Sequence, residues 1–493
     1  IRVNEGPMFT VNDINFQGEV LFSDQKLREE ISLKKGDTYS EELLRKDIKK
    51  LTEMYQDKGY AFANVLRTLH VVPGENKVDV EFSFEKGKKA YFGKIIIKGN
   101  TKTRDKVIRR ELKIREGQQF SGSALQESKR NVKRLGYFEK GSVVFNTVTP
   151  EGEDDVLNVE INVKERNTGQ ISLGAGYSTA TGGFFQGSVK QKNFRGLGQT
   201  LNLTVNIADT NQSGNLGFTE PYLMDTEWTA GGDIFYTENQ TSDSFNYRRS
   251  GFDLRVGYPI FEYTRLFATY KYEETKIKAL EDPTIDENTE NGLASSVKTS
   301  LIYDERDNRL ETSDGHYVSA SSQYAGLGGD KKWVRNEFDL RYFESVWGDL
   351  VFRSRLFMGK METVSGQPIP RSEKYTLGGS RNLRGYDYED VGPKTKATDD
   401  NGNLRVFNAG ALFSTYTQLE FEHPLAREAG LKWVVFFDAG DARDPENLDI
   451  KADYGFGFRW FAPIGVLRFE FGYPINGDET SGSQFHFDIG QLF

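Results

Sequence analysis

Past residue 168 the chain shows no helical period and alternates instead, and this constrains its fold more than any other feature of the sequence. From there to the last residue it reads as about 16 short segments in which apolar and polar residues take turns. The segments begin near Gly169, Gly183, Gln199, Ser213, Glu227, Tyr247, Tyr263, Ser295, Gly315, Trp333, Leu350, Asn408, Leu431, Lys451, Ile464 and Gln484. Where the phase is clean, Trp433, Val435 and Phe437 oppose Val434, Phe436 and Asp438, and Leu467, Phe469 and Phe471 oppose Arg468 and Glu470. A charged second face suits either the wet side of a soluble sandwich or a barrel lumen. A run of roughly 326 residues with no layer of helices, and with aromatic residues at many strand ends, favours one closed barrel with aromatic girdles.

Composition agrees with that reading. A mean hydropathy of −0.60 and the absence of a long apolar run exclude a helical membrane span. They leave a barrel open, since a spanning strand needs only about 9 to 11 residues, apolar at alternate positions. Aromatic residues make up 13% of the chain and there are 50 glycines, which suits many strands and turns. With 64 Lys+Arg against 73 Asp+Glu, the net charge of −9 supplies no basic footprint, so no nucleic-acid partner is expected. There is no Cys, which excludes thiol catalysis, disulfides and Cys-ligated metals.

The first 165 or so residues are a duplication. Phe16-Gln17-Gly18 recurs as Ile97-Lys98-Gly99, and Lys35-Gly36-Asp37 as Glu116-Gly117-Gln118, both at an offset of 81. Lys58-Gly59-Tyr60 recurs as Leu135-Gly136-Tyr137 at an offset of 77, so the second helix is expected to be shorter in the second copy. Each copy reads strand, helix, helix, strand, strand. In the first copy residues 9–16 alternate, 24–31 and 40–55 carry helical spacing, and 61–71 and 78–84 alternate again. The second copy runs 91–97, 104–112, 121–135, 142–148 and 156–163. Ser40 followed by Leu43, Leu44, Ile48 and Leu51 reads as an N-cap and a core stripe.

This βααββ order, with Gly-Tyr after the second helix, resembles the polypeptide-transport-associated (POTRA) domain. In the long segment before the Asn408 strand, the run from Leu377 to Tyr386 contains Gly378-Gly379 and Arg384-Gly385-Tyr386. The pattern resembles the loop signature of the outer-membrane assembly superfamily. The junction Val163-Lys164-Glu165-Arg166-Asn167-Thr168-Gly169 is similar to that family's link from last POTRA domain to first strand. The final alternation Phe485-His486-Phe487-Asp488-Ile489, ending at Phe493, resembles the C-terminal β-signal of outer-membrane barrels.

The resemblance implies a multidomain fold: two α+β POTRA domains (βααββ) followed by a 16-stranded antiparallel transmembrane β-barrel. The expected divisions are 8–86 and 88–166 for the POTRA domains and 168–493 for the barrel, with residues 377–390 folded into the barrel. Residues 1–7, with no basic start or apolar stretch, read as the tail of a preceding domain. The family's loop Arg is held by acids on neighbouring strands, which places Arg384 against Glu420 and Asp438, both in inward phase. A dehydrated guanidinium needs such carboxylates. Gly385 is expected to let the backbone turn tightly beside the barrel wall, next to Tyr386 of the same signature.

The function implied is assembly and insertion of β-barrel proteins into the bacterial outer membrane, with the POTRA domains in the periplasm. The partners implied are unfolded outer-membrane proteins, accessory assembly lipoproteins at the POTRA domains, and outer-membrane lipid. Strand edges at 61–71 and 142–148 are candidates for binding extended segments. The barrel seam is expected between the first strand, with Gly169, Ile171, Leu173 and Gly176, and the last, with Phe485, Phe487, Ile489 and Phe493. A two-partner-secretion-type translocation pore, or a translocation and assembly module barrel, shares these motifs and stays open as the alternative. A simple diffusion porin needs neither repeat nor loop. No enzymatic activity, cofactor or metal is expected: a Gly-x-Ser-x-Gly elbow is missing, and His70, His316, His423 and His486 lack metal-ligand spacing. Those histidines read as ordinary surface or lumen residues, and the chain around 394–405 as a short extracellular loop.

Overall fold

A computed structural model describes residues 7–178, 182–240, 245–280, 282, 285–308, 311–398, 404–443, 445–462, 465–476 and 482–489. It divides into two compact units: residues 1–168 with 193–198, and residues 169–192 with 199–493.

The first unit holds two modules of one design. The first consists of β1 (Thr10–Gly18), α1 (Asp24–Glu30), α2 (Glu41–Gln56), β2 (Asn64–Val71) and β3 (Lys77–Glu85). The second consists of β4 (Tyr91–Lys98), α3 (Asp105–Arg109), α4 (Gly122–Arg134), β5 (Val144–Val148) and β6 (Val156–Asn162). In each sheet the last strand is central, parallel to the first and antiparallel to the second, in the orders β1-β3-β2 and β4-β6-β5. The edges are therefore β1 and β2 in one module and β4 and β5 in the other.

The repeat landmarks have physical reasons. Gly18 and Gly99 end the first strand of each copy at φ +83° and +89°, where a Cβ would stand 2.6 Å from the Phe84 carbonyl oxygen and 1.9 Å from that of Val163. Only glycine fits there. The Ser40 hydroxyl accepts from the Leu43 N–H at 3.3 Å and starts α2, and Ser121 does the same for α4 through Ala124 at 3.2 Å. α2 then buries Leu44, Leu51 and Tyr55 against Val80, Phe82 and Phe84. It spans 16 residues and α4 only 13, which accounts for most of the shorter offset of the third landmark. Each helix also holds the loop before it. Buried Asp47 accepts from the Ser32 and Leu33 N–H groups at 2.7 and 2.9 Å, and Ser128 accepts from Lys113 N–H at 2.8 Å.

At the end of the second module, Glu165 accepts from the Thr103 and Lys102 N–H groups and the Thr101 hydroxyl at 2.6, 2.9 and 2.8 Å. Partial burial pushes this carboxyl up, but the hydrogen bonds from residues 101–103 outweigh it and hold the group below the usual glutamate value.

The second unit is a 16-stranded sheet. Its first eight strands are β7 (Gly169–Ser178), β8 (Gly182–Phe194), β9 (Gln199–Ala208), β10 (Asn211–Glu220), β11 (Thr229–Asn239), β12 (Phe245–Phe261), β13 (Thr264–Ala279) and β14 (Gly292–Asp304). Then come β15 (Gly315–Ala325), β16 (Trp333–Trp347) and β17 (Leu350–Thr363). After a long loop that carries its own hairpin, β18 (Lys394–Thr398) with β19 (Leu404–Asn408), the sheet resumes. Its last strands are β20 (Phe413–Ala426), β21 (Leu431–Asp441), β22 (Lys451–Ala462), β23 (Gly465–Pro474) and β24 (Gln484–Ile489). Neighbours in sequence pair antiparallel throughout, with β17 joined to β20, and the order begins at β24 and ends at β7.

Alternation sorts the side chains. Leu254, Val256, Leu301, Phe421, Val435, Phe456 and Phe458 are exposed on the outer face, an apolar surface of a kind that lipid covers without penalty. Trp228, Tyr263, Trp347 and Trp460 stand at the ends of strands joined by short turns, and Trp228 packs on Tyr258 at 5.0 Å. They form the aromatic girdle of that end.

Two expectations need correction here. The strand anticipated near Asn408 starts at Phe413: Gly410 takes φ +65° and breaks the run, and Asn408 is occupied in holding its own loop through the Glu389 carbonyl at 2.6 Å. The chain around 394–405 is not merely a short loop, because β18 and β19 pair from Lys394↔Asn408 to Thr398↔Leu404. The expected tail at residues 1–7 and the terminal Phe493 lie outside the described residues, apart from Pro7.

Candidate functional site: a charged loop anchor inside the barrel

Residues 371–391 of the long loop fold back among the inward faces of the strands. Gly378 makes this possible at φ +112°, where a Cβ would meet the Asp387 carbonyl oxygen at 2.0 Å. The loop therefore closes on itself, with Leu377 and Val391 exchanging backbone hydrogen bonds at 2.9 and 3.0 Å. Leu383, Tyr386 and Val391 build a small core with Ala411 and Tyr416.

That core delivers Arg384, fully buried, to the barrel wall. Its Nε and Nη2 donate to the two carboxylate oxygens of Asp438 on β21, each at 2.7 Å, the bidentate geometry that suits a planar guanidinium. Nη1 donates to Glu420 on β20 at 2.5 Å and lies 3.6 Å from Glu470 on β23. The charged plane sits 3.5 Å from the centroid of Phe436, an inward residue two before Asp438. The inward face is thus not reserved for charges: Phe436 is the floor under the guanidinium.

The anchor belongs to a larger network. Arg459 on β22 donates to Glu420 at 2.7 and 2.8 Å, to Glu470 at 2.8 Å and to Glu422 at 3.0 Å. Arg353 on β17 reaches Glu422 at 2.8 Å. Each of these groups is nearly or wholly buried, so each depends on its neighbours to offset lost hydration. The close approach of loop to wall also rests on glycine. A Cβ on Gly385 would stand 2.3 Å from the Asp453 Cβ, and one on Gly472 would stand 2.1 Å from the Arg384 carbonyl oxygen. Gly385 sits in the expected turn, closed by the Tyr386 N–H donating to the Leu383 carbonyl oxygen at 3.3 Å, but without a positive φ, so what requires glycine there is the close approach to the wall.

A protein-family model described as the Omp85 superfamily domain matches residues 193–493, more than half of the chain. The chain belongs to the Omp85 superfamily. Residues 9–87 and 90–166 match a second model, POTRA, described as a surface antigen variable number repeat. The outer membrane protein assembly factor BamA of Nitratidesulfovibrio vulgaris is 28% identical over 510 residues, a match covering all of this chain. The chain spans 63% of that relative's length. Among solved structures, BamA from Haemophilus ducreyi lacking POTRA domains 1–3 has a TM-score of 0.72 at 22% identity, covering 97% of this chain and 99% of the other. CdiB from Escherichia coli has a TM-score of 0.59 at 12% identity, covering 98% and 90%. At such identities these two likenesses concern the fold alone.

In this Omp85 barrel the other anticipated residues fall as follows. Tyr386 is buried, and its hydroxyl lies 3.1 Å from both the Ala452 carbonyl oxygen and Asn476 Oδ1. Gly169, Ile171, Leu173 and Gly176 lie on β7, and Phe485, Phe487 and Ile489 on β24, the two end strands of the sheet order. Ile171 and Leu173 point outward and are 74% and 67% exposed. Phe485 and Phe487 stack on Phe471 and Phe469, each pair at 4.8 Å.

Several participants lie outside the anticipated set: Arg353, Glu422 and Glu470 of the network, and with them Arg459, His486 and Glu373. Arg459 was signalled only by its inward phase. By sequence His486 is an ordinary surface or lumen histidine, yet its Nε2 lies 2.8 Å from the Arg384 carbonyl oxygen. Glu373 holds the start of the loop: Arg335 donates to its carboxylate at 2.9 Å, and Arg249 lies 3.2 Å away. Nothing in the local sequence near Glu373 marks it.

Proposed function

We propose that this chain assembles and inserts β-barrel proteins into the bacterial outer membrane, its POTRA modules lying in the periplasm. The observation that carries this is the buried Arg384 anchor, which fixes a loop inside a barrel whose sheet order ends at β7 and β24. Hydrocarbon supplies no hydrogen-bond partners, so a barrel that closes within a membrane must find temporary partners for its edges. A seam that opens between β7 and β24 offers them, and the client's strands pair there until they pair with each other. The edge strands β2 and β5 receive unfolded outer-membrane proteins by strand addition, and accessory lipoproteins dock on the same modules. Outer-membrane lipid covers the apolar outer face. The chemistry is non-covalent throughout, a matter of edge pairing and burial, with no catalytic residue.

The test is depletion in the native host, followed by quantitation of outer-membrane barrels. A broad fall across unrelated barrels is the expected result. Loss of a single secreted protein with the other barrels unchanged would refute the assembly role and point to a translocation pore.

A further inference from the structure

The lumenal loop and the last strand touch directly. His486, on the inward face of β24, places Nε2 2.8 Å from the Arg384 carbonyl oxygen, so the ring nitrogen is the donor. One turn of alternation further on, Asp488 accepts from the Ser380 hydroxyl at 3.0 Å. The Ser380 carbonyl in turn accepts from Arg468 on β23 at 2.9 Å. The same Arg384 whose carbonyl takes the histidine hydrogen bond is locked by its side chain to β20 and β21. A chain of hydrogen bonds therefore runs from the wall of the barrel, through the loop backbone, to the strand at the end of the sheet.

We propose that His486 is a positioning residue that clamps β24 to the loop, so that the last strand and the loop move as one piece when the seam opens. This rests on the seam proposed above. The consequence is an asymmetric seam. On its outer face β24 is held by the Phe469–Phe487 and Phe471–Phe485 stacks, and on its inner face by the loop. The clamp needs a donor at the histidine position and nothing else of histidine, so a side-chain amide of similar reach substitutes for it.

The test reads geometry without any client, so its failure is distinguishable from failure of the assembly reading. The chain has no Cys, so spin labels can be placed cleanly at Ser483→Cys, just before β24, and Val435→Cys, on the outer face of β21. Distance distributions between them are measured in lipid nanodiscs by pulsed electron resonance. The parent and His486→Gln are expected to give one narrow distance, and His486→Leu a broadened or second distance. A narrow distance unchanged in His486→Leu would overturn the proposal, as would a broad distance in His486→Gln equal to that of His486→Leu. Ser380→Ala removes only the hydroxyl bonded to Asp488 and carries the same expectation on a smaller scale, should His486→Leu fail to assemble. No broadening there either would equally overturn the clamp.

Discussion

Removing the Arg384 guanidinium should expose which carboxylate depends on it. Its partners differ in what they retain. Glu420 and Glu470 keep Arg459, at 2.7 and 2.8 Å, whereas the N–H groups that donate to Asp438 all belong to Arg384 among the described residues. Breaking a buried pair from one side costs about 3 to 5 kcal/mol, mostly because the other charge is left without compensation. Arg384→Ala is therefore expected to destabilise the barrel by about that much, with the cost concentrated at Asp438. Arg384→Ala with Asp438→Asn should recover a large part of the loss, since it removes the stranded charge. Arg384→Ala with Glu420→Gln should recover little, because Arg459 then loses its best partner. The assay is the temperature at which the folded barrel loses its compact migration in detergent gels, measured for the three variants and the parent. An Arg384→Ala barrel as stable as the parent, or a double variant with Asp438→Asn no better than Arg384→Ala, would refute the reasoning.

Three further outcomes follow from the geometry. Gly385→Ala drives a methyl into Asp453, and Gly472→Ala drives one into a backbone carbonyl that has no rotamer to escape through. Overpacking of this kind costs about 1 to 3 kcal/mol, with Gly472→Ala the worse, and loop proteolysis of the folded barrel checks it. In the second module, Glu165 is held below its ordinary value of 4.5, so its stabilising contribution is complete above that value and lost as pH falls through the lower folded value. Amide-exchange protection of Lys102 and Thr103 should follow that course, and Glu165→Gln should lower it at neutral pH; protection indifferent to both would contradict the assignment. Glu373→Gln leaves Arg249 and Arg335 without their buried carboxylate, so maleimide labelling at Ser372→Cys should rise in a barrel that stays folded. Equal labelling with and without the substitution would remove Glu373 as an anchor.

Much of this architecture is legible in the sequence because it rests on period and on glycine. Gly18 and Gly99 stand where no other residue fits, so the duplication survives in the letters. Alternation sorts Glu420 and Asp438 from Phe421 and Phe437 because the side-chain period of a strand is two. What alternation omits is register between strands. Glu420 pairs across β20 and β21 with Phe436, not with Asp438, and their common partner comes from a distant loop. Arg459 has the right phase, but its meeting with Glu420, Glu422 and Glu470 depends on how four strands are staggered. The strand placed near Asn408 failed because a residue spent on holding a loop looks, in one dimension, like the first residue of a strand. His486 was overlooked for a related reason, since its partner is a backbone carbonyl that no side-chain motif records.

On the function proposed above, the seam between β7 and β24 opens for the client. Cysteine pairs introduced on the two strands, scanned around Leu173 and Phe485, can lock it in a chain with no Cys of its own. Reconstituted into liposomes with the accessory lipoproteins of the proposed function, the oxidised protein should lose the ability to insert client barrels, and reduction should restore it. Client insertion at the same rate in the oxidised and reduced states would exclude seam opening as the route of insertion.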